Sequence, residues 1–393
     1  MKLLMQKYDV KYYEEEVATH EIIDDFVKNI ETEEAFFIID LGEVQKAYKN
    51  WCSLLPNVKP YYAVKSNPNQ ALVETLSLLG ANFDCASENE IEQVLKITQD
   101  PSRIIFANPC KAISHIRYAY DNCVNLLTFD CEEELYKISK CHPNARAVIR
   151  LAVDDSKSMC RFSEKFGCHL KEVHNLLTIA KSLSINTVGI SFHVGSGCKC
   201  PMSFYNAIID TKKAYDIAKN IGFDIKIIDI GGGFPGDNYN AFKEIAHNIN
   251  NAINDLFYDI NDIQFIAEPG RYFCQSSHTL VLNVIGKKVC YDKDDKKFTY
   301  YLNDGIYGSF NCIYFDHYIP MILPVYVESN EKYSSVMYGQ TCDIEDTISK
   351  DIMLPELFVG DWVYVEKFGA YTSAAASSFN GFRTTMIKYI CKF

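Results

Sequence analysis

Residues 59–86 read KPYYAVKSNPNQALVETLSLLGANFDCA. The first seven form a short apolar and aromatic run closed by Ser66, Asn67 and Pro68, which predicts a buried strand over 59–65. An amphipathic stretch at 70–80 follows, long enough for a crossover helix, and 82–86 is a second short apolar run. Strand, crossover helix and strand make a unit whose two strands lie parallel. One residue sits awkwardly in it: the first run ends on the ammonium of Lys65.

The unit repeats along the chain. Further strands are predicted at 103–108, 125–130, 145–153, 187–195, 225–231 and 263–269, with helical periodicity between them. Eight such units in about 210 residues suggest a closed (β/α)8 TIM-type barrel over 36–277. A doubly wound open sheet is the alternative, since periodicity does not show closure. After Arg271 the runs become β-rich without long helices, as in HTLVLNVIGKKVC, FTYYLND and DWVYVEKFG. A second, mostly antiparallel β domain is expected from 1–35 and 278–393. No Pro/Ser/Gly-rich linker separates the two, so a packed boundary near 277 is expected.

Composition narrows the class. With 393 residues, 48% hydrophobic and 23% charged, the chain has the balance of a folded soluble protein, and no apolar run reaches the roughly 18 residues of a membrane span. The N-terminal MKLLMQKYDVKYYEEE becomes charged too early for a secretory h-region, so a cytoplasmic location is expected. Fifteen cysteines without paired CxxC clusters then read as reduced thiols, and GCKC at 197–200 lacks a second ligand pair, so no metal is expected. A net charge of −12 with no Lys/Arg cluster argues against nucleic acid.

In a barrel of this kind the chemistry gathers at the C-terminal ends of the strands. The polar residues predicted there are Lys65, Asp84, Arg150, His193, Ser196, Gly231, Gly232, Gly233, Glu268 and Arg271. Any one of the charged residues alone is best read as half of a structural ion pair; their convergence is harder to explain that way. DIGGGFPGD at 229–237 places three glycines after the seventh strand, where bare backbone can approach an anion, and EPGR follows the eighth with a guanidinium. A phosphate site, an acid, an imidazole and a strand-end lysine are the parts needed for pyridoxal phosphate. Burial at the strand end would depress the Lys65 ammonium and ready its amine for a Schiff base.

PYYAVKSNP, FDCAS, ANPCK, IRLAVDDSKSMCR, SFHVGSGC, DIGGGFPG, AEPGRY, NDGIYGSFNC, TCD and GAYTSAAASSFNGF, in this order over nearly the whole chain, resemble the eukaryotic ornithine decarboxylases of the alanine-racemase-like (type III) pyridoxal-phosphate class. The resemblance implies roles. Lys65 would carry the cofactor, Glu268 would pair with its ring nitrogen and His193 would stack on the ring. Ser196, Gly231–Gly233, Arg271 and Tyr371 would bind the phosphate, with Asp84 and Arg150 shaping the network. It also implies a homodimer with shared sites, in which Cys342, Asp343 and Phe379 come from the partner chain and Asp316 with Phe315 from the first. Ornithine would be held at its distal ammonium by Asp316 and Asp343, lose carbon dioxide and receive a proton from Cys342, giving putrescine, the first step of polyamine biosynthesis. A regulator of the antizyme type is a possible partner. Two departures stand out: Phe315 where the family commonly has tyrosine, and Gln340 where it has proline. The chain is also expected to lack the extended tail of vertebrate members.

Three rival readings remain. A sister enzyme acting on lysine or another basic amino acid differs by as little as one methylene; diaminopimelate is disfavoured because TCD replaces the Cys-Glu-Ser of those enzymes. A racemase would place arginine rather than Glu268 against the ring nitrogen. A non-catalytic regulator like the antizyme inhibitors would have lost several cofactor residues that stand here.

Overall fold

The structure, a computed structural model, describes residues 1–393 except 29, 31, 293, 294 and 328 and the side chains of 292 and 295. The chain divides into two units, Gln45–Phe273 and Met1–Val44 with Cys274–Phe393.

The first unit is a closed barrel of eight parallel strands: Val58–Ala63, Asn82–Cys85, Ile104–Phe106, Leu126–Phe129, Arg146–Leu151, Asn186–Phe192, Ile227–Asp229 and Gln264–Ala267. Closure is direct, since Phe265, Ile266 and Ala267 pair with Val58, Lys59 and Pro60, and it removes the open-sheet alternative. Tyr61, Ile105, Leu126, Val148, Val188, Ile227 and Ile266 belong to one buried cluster contributed by alternating residues of successive strands. Helices form where local signals agree. Gln70–Leu79 starts at Asn69, whose side chain accepts the Leu72 N–H at 3.1 Å, and stops at Gly80, whose φ of +102° favours glycine. Outside the strands, Trp51 is fully buried among Phe234, Phe242, Tyr272 and Phe273 and donates its indole N–H to Val58 O at 2.9 Å.

The first strand stops at Ala63, two residues earlier than expected. Ser66 Oγ donates to Ala63 O at 2.8 Å and the Asn67 N–H to Val64 O at 3.1 Å, winding Val64–Ser66 into one 3-10 turn before Pro68.

The second unit is a nine-stranded sheet among the described residues. His278–Asp292 is its long spine, antiparallel to Asp295–Leu302, Trp362–Val365 and Phe36–Asp40. Three pairings are parallel, among them Met386–Lys392 beside Phe36–Asp40. The expected boundaries therefore move at both ends. Phe36–Asp40, placed in the barrel from sequence, is fully buried in this sheet, and Asp40 N–H donates to Ser277 O at 2.7 Å, so residues 274–277 belong to it as well. Its core gathers Ile22, Phe26, Phe36, Ile38, Val281 and Ile390. Among the described residues, no helix is long and apolar enough to cross a membrane.

Candidate active site

Within the barrel unit, Lys65 stands in the turn beyond the first strand, and the register that pairs Ala63 with Asp84 brings the second strand's carboxylate beside it. Lys65 Nζ lies 3.4 Å from Asp84 Oδ2, with Asp84 buried and the lysine side chain 45% exposed. The expected burial of Lys65 is thus not found. The 3-10 turn carries it beyond the end of the strand, and the buried Asp84 carboxylate lies beside it.

Glu268 follows the eighth strand and Asp229 ends the seventh; both are buried and their carboxyls share a hydrogen bond. Burial, then the charges of Asp229 and Asp84, hold Glu268 well above the usual carboxylate range. Asp229 is pushed up to about 7 by burial, against the Gly231 N–H that it accepts at 2.9 Å and the bond from Glu268. A proton therefore stays on this carboxyl pair near neutral pH. Arg150, on the fifth strand, is drawn down by burial and supported by Glu268, Asp130, Asp229 and Asp84, and its guanidinium lies 5.3 Å from the Phe166 ring.

His193, just past the sixth strand, is kept neutral: burial first, then Arg150 and Lys65, push it well below its ordinary range. Its Nδ1 accepts the Gly195 N–H at 2.9 Å, so the ring proton resides on Nε2. Phe162 meets the imidazole edge-on at 5.0 Å, and Asp155 fixes that loop by accepting the N–H groups of Phe162 and Ser163 at 2.6 and 2.8 Å.

The glycine run after the seventh strand is a bare shelf. A Cβ on Gly232 would lie 2.8 Å from both Glu268 O and His193 Nε2, and Gly233 has φ +105° with Gly195 O 2.5 Å from any Cβ. Arg271 Nη2 donates to Ser196 Oγ at 3.1 Å, and the Ser196 backbone is clamped to Cys160 by two bonds of 3.0 and 3.1 Å. A side-chain-free shelf, a hydroxyl tied to a guanidinium, a neutral imidazole and a protonated buried acid fit the phosphate, ring face and ring nitrogen of pyridoxal phosphate.

The remaining predicted residues lie in the other unit. Tyr371 adopts φ +57°, an uncommon conformation outside glycine; beside it, Thr372 Oγ1 donates to Phe368 O at 2.9 Å and Asn311 Nδ2 donates to Thr372 O at 2.6 Å. Asp316 is buried after the short helix Cys312–Phe315, whereas Phe315 is 74% exposed. Cys342, Asp343 and Phe379 gather around Tyr307. The Tyr307 hydroxyl donates to Asp343, its ring stacks on Phe379 at 4.3 Å, and Asn380 Oδ1, next to Phe379, accepts the Cys342 N–H at 3.1 Å. The tyrosine bond holds the Asp343 carboxyl below the usual range.

Sequence reasoning missed Asp229, Asp130 and Tyr307. Only Asp229 carried a signal: a carboxylate inside the apolar IKIIDIG run has no reason to be there unless paired.

The family description pyridoxal-dependent decarboxylase, pyridoxal binding domain, matches residues 41–275. The chain belongs to this family. Pyridoxal phosphate is its cofactor, and it is a pyridoxal-dependent decarboxylase. It is 45% identical to antizyme inhibitor 2 of Xenopus laevis, over 99% of this chain and 89% of that one. It is 43% identical to the ornithine decarboxylase of Rattus norvegicus, over 98% and 87%. The arginine decarboxylase of Paramecium bursaria Chlorella virus shares the fold with a TM-score of 0.90 at 37% identity, covering 95% of this chain and all of that one.

Proposed function

We propose that this decarboxylase converts L-ornithine to putrescine and carbon dioxide, the first step of polyamine biosynthesis, in the cytoplasm and as a homodimer. The observation that carries the substrate reading is Asp343: a carboxylate next to Cys342 in sequence, held down by the hydroxyl of Tyr307, whose ring stacks on Phe379. A carboxylate there suits a distal ammonium, and the adjacent thiol suits protonation of the carbon that loses carbon dioxide.

The cofactor, when bound, supplies an electron sink for the pair left behind by carbon dioxide. Lys65 supplies the amine that anchors it, and Asp84 positions that amine. Glu268 presents a proton to the ring nitrogen, with Asp229 keeping that proton in place. Neutral His193 offers a flat face without a competing charge. Ser196, Gly231–Gly233 and Arg271 hold the phosphate. Asp316 and Asp343 take the distal ammonium, and Cys342 Sγ delivers a proton to the α-carbon. In one chain Cys342 is exposed and Asp343 is only half-buried, which suits groups that complete a partner's site.

The kinship with an antizyme inhibitor favours a second reading, a non-catalytic regulator that binds an antizyme-type protein. Against it, Lys65–Asp84, the Glu268–Asp229 pair and the Ser196–Arg271 bond all stand assembled. Carbon dioxide release from ornithine, lysine and arginine, measured with saturating pyridoxal phosphate, separates the readings. Ornithine is expected to give the highest kcat/KM. A higher value with lysine or arginine would reassign the substrate, and no release from any of them would favour the regulator.

A further inference from the structure

The opposite, N-terminal end of the barrel holds a cavity of about 580 Å³, in the size range of small-molecule sites. Three cations line it: Lys59 on the first strand, Arg103 just before the third and Arg146 at the start of the fifth. Tyr61 and Leu126 give it an apolar floor. Asp100 is the one carboxylate in the lining, and its Oδ1 is occupied by the Ser102 N–H at 2.9 Å and the Ser102 hydroxyl at 2.7 Å. The local balance is positive in a chain whose net charge is −12.

The three cations are not alike. Arg103 is fixed in place, since Nη2 donates to Ser77 O at 2.9 Å and Ala81 O at 2.5 Å while its guanidinium lies 5.7 Å from the Phe83 ring. Lys59 and Arg146 are exposed, and neither forms an ion pair among the described residues. A positioned guanidinium and two exposed cations face a single carboxylate, Asp100, which feels the charges of Arg103 and Lys59 but leaves the lining net positive. This matches a compact ligand with several oxyanion groups, because guanidinium forks bind carboxylate and phosphate oxygens in pairs. Structural charges on a barrel's stability face need no such cavity between them.

We propose that this N-terminal mouth binds a small metabolite bearing at least two negative charges on clustered oxyanion groups, held by Lys59, Arg103 and Arg146. The shared chemistry has two sources, phosphate esters and polycarboxylates, for which inorganic pyrophosphate and citrate serve as probes.

Calorimetric titration of the protein saturated with pyridoxal phosphate, so that the other phosphate shelf is filled, tests the site. Saturable binding of at least one probe is expected, one per chain and weakening as salt rises. It should fall about tenfold or more in Lys59→Ala and in Arg146→Ala, and stay unchanged in Lys213→Ala, an exposed lysine on an outer helix paired with Asp210. Pyrophosphate alone would assign a phosphate ester, citrate alone a polycarboxylate, and both the shared oxyanion chemistry. Absence of saturable heat with either probe at millimolar concentration, or binding undiminished in both cavity variants, would overturn the site. Both substituted side chains are exposed, so the barrel core is untouched.

Discussion

The barrel mouth and the Cys342–Asp343 loop differ in how complete they are within one chain. In the mouth, the acids and the Arg150 guanidinium are buried against one another, Glu268 with Asp229 and Arg150 amid four carboxyls, while Lys65, beside buried Asp84, reaches solvent. In the loop, Cys342 is exposed, Asp343 has one tyrosine partner and Phe379 is 42% exposed. Burial shifts Glu268, Asp229 and Arg150 away from their ordinary ranges, while the Asp343 carboxyl is held down by hydrogen bonds from the Tyr307 hydroxyl and the Glu345 N–H. The contrast suggests a division of labour: the barrel holds the cofactor's protonation state, and the loop supplies groups to a substrate that arrives from outside.

The largest effect should come from the mouth. Glu268→Gln keeps the size of the side chain and removes its proton exchange, so kcat is expected to fall about 10²- to 10³-fold with little change in KM. An unchanged kcat at saturating cofactor would mean that the carboxyl pair is structural. In the loop, Asp343→Ala should lower kcat/KM on ornithine by about 10²-fold, chiefly through KM, because the substrate's ammonium loses its partner. A change confined to kcat would place the distal end of the substrate elsewhere.

The smallest effect separates the two regions by sign. The Asp229 carboxyl holds its proton up to about 7 when folded, against roughly 3.9 for an unfolded aspartate. The stability linked to it is therefore fully present below the unfolded value and is lost as pH rises through about 7. Asp229→Asn, which can still accept the Gly231 N–H, should raise the melting temperature relative to wild type more at pH 8 than at pH 5. Asp343 is depressed, so its small contribution runs the other way and fades as pH falls. Parallel melting curves for wild type, Asp229→Asn and Asp343→Asn check both directions, and identical pH slopes in all three would remove the distinction.

Much of the barrel is legible in sequence because each crossover helix must be long and amphipathic, which separates the strands cleanly. Closure is not, because pairing between 58–60 and 265–267 leaves no local mark on either segment. Phe36–Asp40 misled for a related reason: a five-residue apolar strand buried on both faces looks the same in a barrel and in the middle of another sheet. Lys65, His193 and Glu268 were visible as polar residues ending apolar runs. Tyr307 was not, since nothing in NDGIYGSFNC distinguishes it from the other tyrosines of an aromatic-rich chain until its ring is found on Phe379 and its hydroxyl on Asp343.

If the exposed loop of one chain completes the buried mouth of another, Lys65→Ala and Cys342→Ala homodimers are each defective at both sites. Mixed under conditions that allow subunit exchange, they form heterodimers in which one site carries both lesions and the other carries neither. Random pairing makes about half of the dimers mixed, so ornithine decarboxylation should recover to about a quarter of the wild-type rate. No recovery, with exchange verified by differently tagged subunits, would contradict the shared site and return Cys342 and Asp343 to the chain that holds Lys65.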